Sequence, residues 1–294
     1  MTLADLLRDK TILLSDGAWG TELAKRGLAS GEVPELWNLN RPDDVMAVAR
    51  GYVDAGSDII LTNTFGGSRW KLEKAHLADR TAEFNQQGTA ISKRAARDKA
   101  LVFASIGPTG EFMQPLGLKT EEEFVMCFAE QIRACAAGGA DGIVVETQTD
   151  LGEAKAALKA ARQVGSLPVV VSMTFDSGPR GFATMMGIKP EQAAAELSAA
   201  GADAVGANCG AGIDNMIQVT RLMRSATHIP LWIKSNAGMP ELVGGRTVFR
   251  ETPDQMAAKA PRLVEAGASI IGGCCGTTLA HIRQMREALD RFRT

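Results

Sequence analysis

Two adjacent cysteines near the end of the chain are the residues best suited to chemistry. Cys274 and Cys275 lie in the run Ile270-Ile271-Gly272-Gly273-Cys274-Cys275-Gly276-Thr277-Thr278, after an apolar segment that predicts a buried strand. Thiolates are soft ligands that suit zinc, and Cys209 in the similar run Ala207-Asn208-Cys209-Gly210 supplies a third. Three protein ligands leave one coordination position open, which is the arrangement of a catalytic zinc site.

Two other interpretations of the cysteine pair stay open at this point, a buried vicinal disulfide and two inert core thiols. Cys-Cys is not a zinc-finger spacing, but the flanking glycines favour a metal because they let the backbone come close to an ion. The chain has 5 cysteines in 294 residues, an odd and small number that argues against a disulfide framework. Cys127 and Cys135 fall inside a predicted helix, where we expect them to be packing residues.

The composition is that of a soluble protein that acts on small molecules. The chain is 45% hydrophobic and 22% charged with a net charge of −2, which favours neither nucleic acid nor an anionic membrane as a partner. No apolar stretch approaches the ~18 residues of a membrane span. The segment Met1–Asp5 lacks a basic region followed by an apolar one, so we expect a cytoplasmic protein.

Short apolar runs alternate with segments of helical periodicity along the whole chain. Continuous rather than alternating hydrophobicity predicts parallel strands covered on both faces. The eight predicted strands are Thr11–Ser15, Asp58–Thr62, Leu101–Ile106, Gly142–Glu146, Val169–Thr174, Ala204–Asn208, Leu231–Ser235 and Ser269–Gly273. Helix start signals precede Val45–Ala55, Phe124–Ala137, Gln192–Ala200 and Gln255–Ala266.

A weak internal repeat places glycine between a helix and the next strand. It recurs at Ala55-Gly56, Gly138-Gly139, Ala200-Gly201 and Ala266-Gly267. Eight βα units in this length predict a closed (β/α)₈ TIM barrel, an α/β fold that occupies residues 1–294 as a single domain. The structural alternative is a doubly wound open sheet, but the first unit lacks the glycine fingerprint that such a sheet uses for phosphate.

Polar or sulfur-bearing residues follow nearly every predicted strand, at the end of the barrel where active sites lie. They are Asp16, Asn63, Ser105, Glu146, Thr174, Asn208, Cys209, Asn236, Cys274 and Cys275. Closure of the barrel would bring the three cysteines to one rim. This favours the metal site over a vicinal disulfide or inert core thiols. His76, His228 and His281 lie away from predicted strand ends, so we expect them at the surface or at helix ends.

Two acids and a glycine-rich loop suit a free amino acid. In Asp16-Gly17-Ala18-Trp19-Gly20-Thr21, free backbone N–H groups can hold a carboxylate and Asp16 can hold an ammonium. Glu146, at the end of the fourth predicted strand, is a second acid. The alternative is that both acids cap helices or pair with arginines.

With these residues in place, nearly the whole chain resembles the zinc-dependent homocysteine S-methyltransferases. The motifs that carry the resemblance occur in the order of that family: Asp16–Thr21, Thr62-Asn63-Thr64-Phe65, Gly107-Pro108-Thr109-Gly110, Glu146-Thr147, Asn208-Cys209, Asn236-Ala237-Gly238 and Gly272–Thr277. The homocysteine-binding barrel of cobalamin-dependent methionine synthase and betaine–homocysteine methyltransferase are the most similar members.

The resemblance implies zinc on Cys209, Cys274 and Cys275. It also implies homocysteine held by Asp16, by the backbone at Gly17 and Ala18, and by Glu146. Asn236 is implied to occupy the open zinc position when substrate is absent. The implied reaction is attack of a zinc-bound homocysteine thiolate on a methyl donor to give methionine.

The methyl donor has to be argued from other features. Because the chain ends soon after the last predicted helix, we expect the methyl group to come from a free small molecule or a separate carrier protein. Trp19, Trp37 and Trp70 fall in the first two βα units, and aromatic faces hold onium groups, so betaine or another small onium compound is the first hypothesis.

Three alternatives to this donor site stay open. Trp37 and Trp70 could merely cover the barrel flank. The chain could be a subunit that takes its methyl group from a separate methylcobalamin (corrinoid) protein, or a non-catalytic module that binds zinc and an amino acid.

Overall fold

The computed structural model describes residues 7–10, 12–179, 181–244 and 246–293, so Thr11 of the first predicted strand and the segment Met1–Asp5 lie outside the described residues. The strands are β1 Leu13–Leu14, β2 Ile59–Ile60, β3 Leu101–Ile106, β4 Gly142–Gln148, β5 Val169–Met173, β6 Asp176–Gly178, β7 Gly181–Ala183, β8 Ala204–Cys209, β9 Leu231–Ser235, β10 Glu241–Val243, β11 Arg246–Val248 and β12 Ile270–Gly273. The α-helices are α1 Trp19–Lys25, α2 Trp37–Asn40, α3 Pro42–Asp54, α4 Arg69–Glu73, α5 Thr81–Ala96, α6 Glu121–Ala137, α7 Leu151–Val164, α8 Pro190–Ala199, α9 Ile213–Ala226, α10 Pro253–Glu265 and α11 Leu279–Arg293. Short 3₁₀ turns occupy Pro34–Leu36 and Ala78–Arg80.

Eight parallel strands form the barrel. Within the described residues they are hydrogen-bonded in the order β1-β12-β9-β8-β5-β4-β3-β2. A parallel bridge between Ser15 and Ile59 joins the two ends of this sheet. The predicted (β/α)₈ barrel is confirmed. The short antiparallel hairpins β6–β7 and β10–β11 follow the fifth and seventh barrel strands.

The helices begin and end where local signals place them. Thr120 and Thr252 form capping boxes with Glu123 and Gln255 at the starts of α6 and α10. The glycines of the internal repeat, Gly56, Gly139, Gly201 and Gly267, have φ values of 98, 93, 93 and 106°. That left-handed conformation ends a helix and favours glycine, which accounts for the repeat.

The barrel interior is packed rather than open. Phe103 and Trp232 stack inside it with ring centroids 5.9 Å apart. Gly206 allows β8 to pass close to β9, because a Cβ there would lie 1.9 Å from the carbonyl oxygen of Trp232. A larger apolar layer lies between the strands and the helices. This packing fixes the strand ends that carry the polar residues.

In the described part of the chain, no helix has both the length and the apolar character needed to cross a membrane.

Candidate active site

A cavity of about 550 Å³ opens at the carboxyl ends of the barrel strands. Its wall is formed by the loops that follow β1 and β2 and by the ends of β4, β8 and β12. The wall includes Glu146 and the three cysteines of the sequence prediction, Cys209, Cys274 and Cys275. Chemistry in this fold occurs at that face of the barrel.

The structure brings the three predicted cysteines together. The Sγ atom of Cys209 lies 3.1 Å from that of Cys274 and 3.7 Å from that of Cys275. All three sulfurs lie within 4.8 Å of one another. Cys209 adopts a left-handed conformation, with φ at 65°, where β8 ends. This turn is one of the few non-glycine positions with positive φ, as is common at functional sites.

The donor set fits a metal ion. Sulfurs bound to one tetrahedral zinc lie about 3.8 Å apart, so the observed spacing needs only small side-chain rotations. Asn236 is buried beside them, and its Nδ2 donates to the carbonyl oxygen of Gly210 at 2.6 Å. Its Oδ1 is buried and has no hydrogen-bond partner among the described residues. The contact with Gly210 holds this orphaned acceptor next to the segment that carries Cys209, and a bound cation is a partner that such an acceptor can take.

Backbone hydrogen bonds hold the cysteine pair in place. The N–H of Cys274 donates to the carbonyl oxygen of Ser235 at 2.7 Å, which ties the pair to β9. The Oγ1 of Thr277 donates to the carbonyl oxygen of Cys274 at 2.7 Å. A Cβ at Gly273 would lie 2.4 Å from that same Oγ1, so only glycine fits before the pair. The glycines of the motif therefore shape the turn that presents the thiols.

Contacts among the thiols separate their pKa values. Hydrogen bonds from Cys209 and Cys274 lower the pKa of Cys275. The contacts of Cys209 with the other two sulfurs raise the pKa of Cys209. Cys275 is also the exposed member of the three.

Glu146 is a buried carboxyl group in the cavity wall. Burial raises its pKa to about 7, and the charge of Lys234 opposes that effect. The Oγ of Ser105 donates to its Oε1. Its hydrogen-bond partner is thus a serine rather than the arginine or helix end of the alternative interpretation. An ammonium group in the cavity would stabilise the ionised form of this side chain.

Asp16 lies outside the cavity wall formed by the described residues and is fully buried. Its Oδ1 accepts from Lys234 Nζ at 2.6 Å, and its Oδ2 accepts from Trp19 Nε1 at 2.8 Å and the N–H of Leu61 at 2.7 Å. These donors engage both carboxylate oxygens. The contact between Asp16 and an ammonium stays a prediction. In this structure the carboxylate positions Lys234 and Trp19, which line the cavity.

Gly17 and Ala18 line the cavity, as the resemblance implies. The N–H of Ala18 already donates to Thr277 Oγ1 at 3.0 Å. A Cβ at Gly17 would lie 2.8 Å from the same oxygen and 2.9 Å from the Tyr52 hydroxyl. The loop is thus pinned against the cysteine turn, and the Ala18 N–H is engaged within the protein.

The three tryptophans of the predicted donor site are separated. Trp19 lines the cavity. Trp37 is 2% exposed, with Arg41 3.8 Å from its ring centroid, and Trp70 packs edge-on against Phe124 at 5.0 Å. Neither belongs to the cavity wall in the described residues. The expectation that Trp37 and Trp70 face a donor is corrected, because both rings pack against the protein itself.

Several polar residues of the cavity wall were missed in the sequence interpretation. Lys234 is a charged residue inside the apolar run Leu231-Trp232-Ile233-Lys234-Ser235, a signal that could have marked it. Glu35 and Lys71 come from loop and helix segments without such a signal. Cys127 and Cys135 are buried in α6, as expected for packing residues.

Comparison with known sequences assigns the family. The sequence model described as homocysteine S-methyltransferase matches residues 13–289, which contain the barrel and all three clustered cysteines. The chain belongs to the homocysteine S-methyltransferase family. The resemblance to this family is thereby confirmed.

Related proteins extend this comparison. The methionine synthases of Mycobacterium tuberculosis and Mycobacterium leprae are 32% and 33% identical to this homocysteine S-methyltransferase family member, over 99% and 95% of its length. The matches cover 26% and 24% of those proteins, so the chain spans about a quarter of their length. The metallated form of the homocysteine methyltransferase MmuM from Escherichia coli has the same fold, with a TM-score of 0.81 at 23% identity over 97% of this chain and 99% of that one.

Proposed function

We propose that this family member transfers a methyl group to the sulfur of homocysteine and forms methionine. The observation that supports this best is the convergence of three thiols in a cavity that also contains a buried carboxyl group. A metal held by the thiols at one side of the cavity can bind the sulfur of the substrate, and the carboxylate of Glu146 can bind its ammonium. The family assignment supports the same reaction.

The cavity offers a contact for each group of homocysteine. With the sulfur at Cys209, Cys274 and Cys275, the ammonium is held by Glu146 in its ionised form. The substrate carboxylate lies against the backbone of the loop that contains Gly17. Asp16 and Lys234 lie behind these contacts, where their ion pair fixes the loop and the cavity wall.

We propose zinc as the metal, because three thiolates with one further position suit it. Zinc bound there supplies Lewis acidity that lowers the pKa of the homocysteine thiol, so that the sulfur is ionised near neutral pH. Asn236 Oδ1, the buried acceptor without a partner, is the protein atom suited to the fourth position when substrate is absent.

The donor we propose is a small onium compound, with betaine first. The sulfur of homocysteine forms a bond to the methyl carbon while the bond from that carbon to the onium atom breaks. The electron pair leaves with the donor as a neutral amine or thioether, so the leaving group needs no proton. Trp19 and Phe65 supply aromatic faces in the cavity wall, and Glu32 and Glu35 supply negative charge.

A separate methylcobalamin protein is the second candidate donor. The observation that favours it is the similarity to two mycobacterial methionine synthases, in which the matched region is about a quarter of the protein. A carrier of that kind would present its methyl group at the same cavity.

A donor panel tests the proposal. Zinc-loaded protein is incubated with homocysteine and, in parallel, betaine, dimethylsulfoniopropionate, S-methylmethionine or methylcobalamin, and methionine is measured by mass spectrometry. We expect methionine from betaine or a sulfonium donor, and its loss after chelation. Formation from methylcobalamin alone would select the second donor. Homocysteine binding without methionine from any donor would show a binding module instead.

A further inference from the structure

Lys71 places a positive charge in the cavity wall without an acidic partner. Its Nζ lies 5.2 Å from the ring centroid of Phe65, which also lines the cavity. Among the described residues, no carboxylate oxygen lies within 4.0 Å of this Nζ. Lys234, the other lysine of the wall, is bound to Asp16 at 2.6 Å. Lys71 is therefore the lysine of this wall that is available to an anionic ligand.

Two buried acids near Lys71 are already hydrogen-bonded elsewhere. Glu35 accepts from the N–H of Gly66 at 2.6 Å, and Glu153 accepts from the N–H and Oγ1 of Thr109, both at 2.7 Å. Burial lowers the pKa of Lys71, while the charges of Glu35 and Glu153 raise it. These acids favour the ammonium form from a distance but do not occupy its hydrogen-bonding positions.

Lys71 lies on a different part of the barrel rim from the thiol cluster. It belongs to α4, which follows β2, whereas Cys209 ends β8. In the strand order, β2 is four positions from β8, which carries Cys209, and two positions from β12, which precedes Cys274 and Cys275. A barrel of eight strands about 4.8 Å apart with a tilt of ~36° is roughly 15 Å across.

That separation assigns Lys71 to the second substrate. A homocysteine with its sulfur at the cysteines has only three carbons between that sulfur and its carboxyl carbon. Its charged groups therefore meet Glu146 and the loop after β1 before they reach the wall at β2. The space beside Phe65 and Lys71 is left for the molecule that brings the methyl group.

We propose that Lys71 binds an anionic group of the methyl donor, so that the enzyme selects donors that carry a carboxylate together with the onium group. This rests on the proposed function and names its donor class. A donor that is only cationic gains nothing from Lys71 and is repelled by its charge. A zwitterionic donor has its carboxylate paired at Lys71, and its onium end extends toward the sulfur.

Matched pairs of donors test the selection. Betaine is compared with choline, and dimethylsulfoniopropionate with trimethylsulfonium, because each pair differs in the carboxylate. The proteins are wild type, K71M, K71R and the control K74M. Lys74 lies one turn further along, is exposed, pairs with Glu111 at 3.2 Å and is outside the cavity wall in the described residues.

We expect K71M to raise the KM of the zwitterionic donors about tenfold or more, as for the loss of one charge-assisted hydrogen bond. The KM of the purely cationic donors should fall, because the repulsion from the Lys71 charge is removed. K71R should recover most of the affinity, K74M should match wild type, and the KM of homocysteine should be unchanged in all four proteins. Equal KM values for betaine in K71M and K74M would overturn the assignment, as would methionine formed only from methylcobalamin.

A binding measurement separates this inference from the proposed reaction. Calorimetric titration of zinc-loaded wild type and K71M with betaine measures donor binding without turnover. We expect binding to wild type that is about tenfold weaker in K71M. If no donor yields methionine, the proposed function fails and the titration alone decides the role of Lys71. Equal binding to both proteins refutes it.

Discussion

The Nζ of Lys234 lies 2.6 Å from Oδ1 of Asp16, and both side chains are almost completely buried within the barrel. The two residues are 218 positions apart in the chain, and their contact joins the last residues of β9 to the loop after β1. Trp19 and the backbone of Leu61 donate to the other oxygen of the same carboxylate. The pair therefore fixes one wall of the cavity.

Breaking this pair should be strongly destabilising. K234M leaves the Asp16 charge buried without its partner, which costs about 3–5 kcal/mol. The double variant D16N/K234M removes both charges and should recover most of that loss. Urea unfolding measures both, with K159M, at an exposed ion pair with Glu121, as the control expected within about 0.5 kcal/mol of wild type. If K234M lowers the free energy of unfolding by less than about 1 kcal/mol, solvent or another group compensates the charge of Asp16.

The sequence predicted the frame of this site better than its inner contacts. β3 and β9 begin and end where periodicity placed them, and Cys209 and the Cys274-Cys275 pair meet because closure of a parallel barrel puts strand ends on one rim. Strand-end position did not reveal whether Asp16 faces the cavity. The orientation of Asp16 depends on its contact with Lys234 of β9. These residues are far apart in the chain, and no local sequence pattern predicts such a contact. The assignment of 1–294 to one domain stays a prediction.

The orientations of the tryptophan side chains were likewise not predictable from sequence position. Trp19, Trp37 and Trp70 are close in sequence to the first two strand ends, which predicted one aromatic group. Trp37 instead donates to Glu32 at 2.7 Å and packs into the core, and Lys119 covers the ring of Trp70 at 5.1 Å. The orientation of a side chain in a long connection depends on which neighbours it meets, and composition does not report that.

The metal should depend on each of the three clustered cysteines. We expect purified protein to hold about one zinc per chain, and C209A, C274A or C275A to lose both metal and activity while the circular dichroism spectrum is retained. C127A is the matched control, because this thiol is buried in α6 away from the cluster. Metal analysis by mass spectrometry checks the prediction. Full zinc content in C274A would refute the proposed ligand set.

Trp19 should affect the donor more than the other tryptophans do. W19L removes an aromatic face from the cavity wall and should raise the KM of betaine more than tenfold, as expected for a cation–π contact of ~2 kcal/mol. W19F keeps a ring but loses the hydrogen bond to Asp16, so it separates the two roles. W70L is the control, since this ring packs on Phe124 outside the wall. Equal effects of W19L and W70L would show that only stability is affected.

Glu146 should make homocysteine binding depend on pH. Burial raises its pKa to about 7, and in the proposed binding mode the ammonium of homocysteine binds the ionised carboxylate. The ionised fraction falls as the pH drops through 7, so the KM of homocysteine should rise about tenfold for each pH unit well below that value. E146Q cannot ionise and should bind homocysteine more weakly by about 1.5–3 kcal/mol. The rise in KM at low pH, which is the acid limb of the pH profile, should be absent in this variant. Steady-state kinetics from pH 5.5 to 8.5 test this, with E83Q as the exposed control and zinc content measured at every pH. An unchanged acid limb in E146Q would assign the titration to another group, because the amide variant has no carboxyl proton to lose.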